Sequence, residues 1–287
     1  MHLLINKFNR ILYDDNSSFS EYTFAMREWN TDTMLCPLVP LEDYVYIGAP
    51  HTFAARFLKI ETANDQDGIL SAEYYAGETD GWKAVKNFRD ETRVGAKSLA
   101  QDGFIEWDLP DDWVKNQVNS LPELPDGVAS GDGNGLYWLR LKSSAELNSA
   151  TAIDWLGLIW THERMLLTRW SECTNSKYLP TGQTHWYKEI EMSTKDVADD
   201  LKIQELIDYE MQVKDFDEIS DLTTLKTLIN ILYPMRSSPD LNALRKDFEE
   251  LYTNKIRTKI KGIDHNKDEK LSTQEQTSAI VSRIKRY

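Results

Sequence analysis

The stretch 70–114 constrains the chain most. Leu70, Ala72 and Tyr74 alternate with Ser71, Glu73 and Tyr75, and a period of two marks a half-buried strand. Gly77 to Gly81 has turn chemistry, and Trp82-Lys83-Ala84-Val85 starts a second strand. Phe104, Glu106 and Asp108 alternate with Ile105, Trp107 and Leu109 in a third, which Pro110 stops. Short strands with this aromatic payload predict a β-sandwich core rather than a reactive centre.

Strand patterns flank this stretch on both sides. Leu3-Leu4-Ile5 reads as a short edge strand, 14–18 as a loop, and 23–29 as a strand with Phe24 and Met26 on one face. Strands are expected over 41–48, 53–62, 136–141 and 152–160. Asn64-Asp65-Gln66-Asp67-Gly68 contains part of a cation-loop pattern, but its place between two strands predicts a tight turn. Residues 119–135 read as a turn-rich insertion; its glycines are followed by no Gly-Lys-Ser/Thr, so it is not a phosphate loop.

The period becomes helical from Ser193. Ser193 and Thr194 read as an N-terminal signal, with Val197 and Leu201 on one stripe. Ser220-Asp221 opens a second helix with Leu222, Leu225, Leu228, Ile229 and Leu232 on one face, and Pro234 ends it. Pro239-Asp240 opens a third, with Leu241, Leu244, Phe248, Leu251, Tyr252 and Ile256 at one-face spacing. The expected fold class is therefore α+β and multidomain: an antiparallel β-sandwich over 1–165, an aromatic linker over 166–192, and a helical module over 193–287.

One stretch has metal chemistry. Ca²⁺ takes six to eight oxygens from an EF-hand loop at positions one, three, five, seven, nine and twelve. In 264–275 these fall on Asp264, Asn266, Asp268, the carbonyl of Lys270, Ser272 and Glu275. Position six, where the sharp turn favours glycine, is Glu269. The alternative is a polar connection between helices whose acids cap the next one.

The net charge of −14 opposes a groove that grips phosphate backbones, though not acidic walls past which DNA slides. Two cysteines, Cys36 and Cys173, make no disulfide framework and read as reduced. The N-terminus lacks a signal-peptide pattern, and no run reaches the ~20 apolar residues of a membrane span. The five histidines fit no metalloprotease pattern, and neither a nucleophile elbow nor a nucleotide fingerprint is present. The expectation is a non-enzyme.

Four segments resemble a β-sandwich domain of tailed-bacteriophage virion proteins. They are Glu73-Tyr74-Tyr75-Ala76-Gly77 with Gly81-Trp82; Gly103 to Trp107 with Pro110 and Trp113; Tyr137-Trp138 with Arg140; and Ser144-Ala145 to Thr151. Their order follows the family's over about half the chain. The helical part, with Leu225, Leu228, Phe248 and Tyr252 before the Asp-rich loop, resembles the C-terminal module of phage neck proteins. The resemblance implies a head–tail connector, made in the host cytoplasm and carried in the virion. It implies a homo-oligomeric ring on the portal protein and other neck or tail proteins, DNA passing through its lumen without sequence-specific contacts, and structural Ca²⁺. A baseplate or tail protein and a carbohydrate-binding module are the alternatives.

Overall fold

A computed structural model describes residues 10–27, 33–116, 135–180, 185–208, 212–213, 217–256 and 263. The chain divides into two compact units at Leu158/Ile159. Strands come first and helices after, as the α+β reading expected.

The first unit holds two antiparallel sheets. The seven-stranded sheet contains β1 (Arg10–Asp15), β2 (Ser18–Glu21), β4 (Tyr44–Ala49), β6 (Leu70–Tyr75), β7 (Trp82–Ala84), β10 (Lys115–Asn116) and β11 (Leu136–Ser143). Its order is β2-β1-β4-β11-β6-β7, and β10 also pairs with β11. The five-stranded sheet contains β3 (Met34–Leu35), β5 (Ala55–Thr62), β8 (Arg89–Asp90), β9 (Gly103–Glu106) and β12 (Ala152–Gly157), in the order β3-β12-β5-β9-β8.

Register explains the core. Ile11 pairs with Ile47, Ile47 with Leu139, and Leu139 with Tyr74. Side chains two residues along share that face, so Val45, Leu141, Ala72 and Leu70 join it, all buried. Trp113 bridges to the other sheet: its ring lies 6.0 Å from Tyr74, 5.9 Å from Tyr137 and 5.0 Å from Phe53, just before β5.

Three segments depart from the sequence reading. Residues 14–18 are not a plain loop but the end of a hairpin: Asn16 and Ser17 both have positive φ, 47° and 72°, the geometry of a two-residue turn that matches strand twist. Residues 25–27 form a 3-10 turn, not a strand. Phe24 is accordingly 77% exposed while Met26 is fully buried. The stretch 166–192, expected as an irregular aromatic linker, contains the end of α1 (Glu163–Arg169) and the start of α2 (Tyr187–Ile203).

The second unit contains α1, α2, α3 (Asp217–Leu232) and α4 (Pro239–Ile256). Pro239 opens α4 and Pro234 follows α3, as the sequence suggested. Ser193 and Thr194 do not cap α2. They are buried within it, and their hydroxyls donate back to the carbonyls of Glu189 (2.7 Å) and Ile190 (3.0 Å), which satisfies them without breaking the helix. Asp200 of α2 accepts from Lys226 of α3 (3.2 Å) and from the Tyr252 hydroxyl of α4 (2.6 Å). Phe248, Tyr252 and Ile256 form the buried stripe of α4, while Leu251 is exposed.

Asp221 of α3 accepts from Arg169 of α1 (2.8 Å) and also from Lys255 of α4. Burial alone would raise its carboxyl, but the hydrogen bonds from Lys255 and Arg169 outweigh burial and hold it below the usual carboxylate range. A carboxyl depressed in the folded state contributes stability above its unfolded value, and that stability disappears as pH falls through the folded value. Acid should therefore loosen the helices below about pH 4. Asp221→Asn should lower the midpoint of thermal unfolding near neutrality, and the difference from wild type should shrink on acidification. Far-UV dichroism against temperature at several pH values checks this.

Candidate functional site

Five of the resemblance residues, Glu73, Tyr75, Trp82, Trp138 and Arg140, share the other face of the seven-stranded sheet. The register sets Leu12 beside Tyr46, Tyr46 beside Arg140, and Arg140 beside Glu73. Tyr44, Trp138, Lys142, Tyr75 and Trp82 fall on the same face two residues along. Such a face is usually polar and wet. Here Leu12, Tyr46, Tyr75, Leu136 and Trp138 are buried as a second cluster, with Phe19, Tyr44 and Trp82 partly buried against it.

Glycines serve this face in a turn and in one close approach. Gly77 (φ 104°) and Gly81 (φ 63°) make the turn between β6 and β7 that delivers Trp82. Gly48 lets the Trp138 ring lie on the backbone, where an added Cβ would come within 2.8 Å of it.

Arg140 organises the charge. Its guanidinium lies 4.5 Å from the Tyr44 ring centre and 4.6 Å from that of Trp82. Its Nε donates to Glu73 (2.7 Å), and Lys142 donates to the other Glu73 oxygen. Arg140 and Glu73 side chains are only 12% and 13% exposed. Burial would raise the Glu73 carboxyl, but Lys142 and Arg140 hold it below the usual range. The carboxylate is thus committed to two cations, and the Trp82 ring already meets Arg140, Tyr46 (5.6 Å) and Tyr75 (5.4 Å). This arrangement seals an apolar cluster. Arg140 covers one face of the Tyr44 ring and one face of the Trp82 ring.

The six residues expected to hold Ca²⁺, Asp264, Asn266, Asp268, Lys270, Ser272 and Glu275, lie outside the described residues, as do Leu3-Leu4-Ile5 and most of the 119–135 insertion. Among the described residues, no group of three or more His, Cys, Asp or Glu side chains is arranged to hold a metal ion. No described helix is long and apolar enough to cross a membrane. Asn64 forms a structural turn: its side-chain oxygen accepts from Gln66 N–H (3.1 Å) and Asn148 N–H (3.0 Å). Cys36 and Cys173 are free and buried, and burial raises both thiols above their ordinary range, that of Cys173 to about 11.

Sequence reasoning missed one charged pair. Lys59 Nζ lies 2.5 Å from Asp154 Oδ2, with both residues buried. The available signal was a single charge inside each of two apolar runs, Phe57-Leu58-Lys59-Ile60 and Ile153-Asp154-Trp155-Leu156.

Neither the family models nor the curated proteins searched give a match to this chain.

Proposed function

We propose that the chain is a non-catalytic structural protein of a tailed-phage virion, a head–tail connector that forms a ring at the portal vertex. One observation carries this reading. The residues of the resemblance are the ones that build the sandwich: Tyr74, Tyr75, Trp82, Trp107, Trp113 and Trp138 pack it, and Arg140 seals its outer cluster. A pattern made of packing residues supports a shared scaffold rather than shared catalysis. The charge of −14 suits a channel that must not hold DNA as it passes. Carbohydrate binding on this face is disfavoured because Arg140 occupies the rings. Calcium enters the reading through Asp264, Asn266, Asp268, Lys270, Ser272 and Glu275, whose order matches the oxygen ligands such an ion takes.

Mass photometry of the full chain tests the proposal, with and without Ca²⁺ and with the portal protein of the same phage. A closed multimer or a portal complex is the expected result. A monomer that ignores the portal under all of these conditions overturns it.

A further inference from the structure

Lys59 and Asp154 sit at the centre of the five-stranded sheet. Trp155 is paired directly with Lys59, and Phe104 with Phe57. Phe57 shares the Lys59 face, being two residues away on β5. Its ring lies 5.3 Å from Phe104 and 6.4 Å from Trp155. Phe57, Phe104 and Trp155, all buried, therefore share the sheet face on which Lys59 lies.

A bulge aims the aspartate. The register of β12 against β5 passes from Ile153↔Ile60 to Trp155↔Lys59, which leaves Asp154 as the extra residue. Bulges re-aim side chains in this way. A second carboxylate stands nearby: Glu61 Oε2 is 3.8 Å from Lys59 Nζ, and the Glu61 side chain is 54% exposed. An amine and a carboxyl group are thus held in contact among buried aromatic residues, with a half-exposed acid beside them.

We infer that Lys59 and Asp154 form a covalent modification site, at which the two side chains condense to an intramolecular amide. The step begins when one proton moves from the Lys59 ammonium to the Asp154 carboxylate, leaving an amine and a carboxylic acid. The nitrogen lone pair attacks the Asp154 Cγ and the C–N bond forms. The Cγ–OH bond then breaks, and the hydroxyl leaves with a proton from the nitrogen as one water. Glu61 is placed to carry that proton. No oxidant, cofactor or further reactant is needed. Fixed proximity replaces activation, and well-oriented intramolecular reactions reach effective concentrations of roughly 10⁵–10⁸ M. The bond would tie β12, the last strand of the first unit, to β5 in the middle of its sheet.

Intact-mass measurement of the denatured full chain tests this. The expected mass is one water below that of the sequence, with a branched peptide joining the segments around Lys59 and Asp154 after proteolysis. Lys59→Arg should restore the sequence mass. Glu61→Gln changes a half-exposed side chain, so it should fold, keep the pair and remain unlinked. A wild-type chain that keeps the full sequence mass after prolonged incubation overturns the proposal, as does a water loss that maps elsewhere. A folded Glu61→Gln chain that is fully linked overturns the part given to Glu61.

Discussion

Trp138→Ala should destabilise the first unit by about 3–5 kcal/mol. Trp138 is fully buried among Leu12, Tyr46, Tyr75 and Leu136, and its Nε1 donates to the Asn116 carbonyl (3.2 Å). Truncation removes a large apolar volume between strands whose backbones are pinned by ladders on both sides of β11. Collapse into the cavity is therefore limited, which places the cost toward the upper end. The Asn116 carbonyl also loses its indole donor. Urea unfolding followed by far-UV dichroism measures the effect. Trp138→Phe, which keeps most of the volume, should recover more than half of the loss. A change below about 1 kcal/mol would mean that the outer cluster adds little to folding.

Asp43→Ala should cost about 3 kcal/mol, from the 1.5–3 kcal/mol typical of hydrogen bonds to a charged group. The Asp43 carboxylate is buried and accepts from the Tyr13 hydroxyl (3.1 Å), Val39 N–H (2.9 Å) and Asn16 N–H (3.2 Å). It thereby joins the β1–β2 turn to the segment before β4. Burial, then the neighbouring Cys36 and Asp43, push the Tyr13 phenol above its ordinary range, so it remains a donor. The segment it holds includes Leu38 and Leu41 at positive φ, 45° and 68°, a conformation that costs a side-chain-bearing residue free energy. Losing the carboxylate should therefore release local strain as well. Amide hydrogen exchange should speed up first at Val39 and Asn16. Unchanged exchange at both would remove Asp43 as the anchor of this corner.

The sequence was most legible where one force acted alone. The alternation of 70–75 survives as β6, because one face meets the core and the other meets a separate cluster. Pro234 and Pro239 mark helix limits because a missing N–H and a fixed φ act locally. Legibility failed where tertiary contacts overrode local pattern. Ser193 and Thr194 resemble a cap, yet the buried Trp186, Tyr187 and Ile190 carry the helix back past them. The β1–β2 hairpin was hidden because Asn16 and Ser17 form a turn usually rich in glycine. The outer cluster could not be read at all: Arg140, Tyr44 and Trp82 are far apart in sequence, and only strand order brings them together. Lys59 and Asp154 were visible as misplaced charges, but their pairing needed the bulge.

The guanidinium held between Tyr44 and Trp82 has a consequence for how such a chain can diverge. Replacing Arg140 with lysine keeps the charge but gives up the flat surface that both rings contact. Replacing Glu73 first would strand Arg140 and Lys142 together. Each single step is worse than the combined change, as expected for positions coupled by 0.5–3 kcal/mol. Positions 44, 73, 82, 140 and 142 should therefore be inherited and exchanged as one block, and homologous sequences that differ at one of them should differ at several.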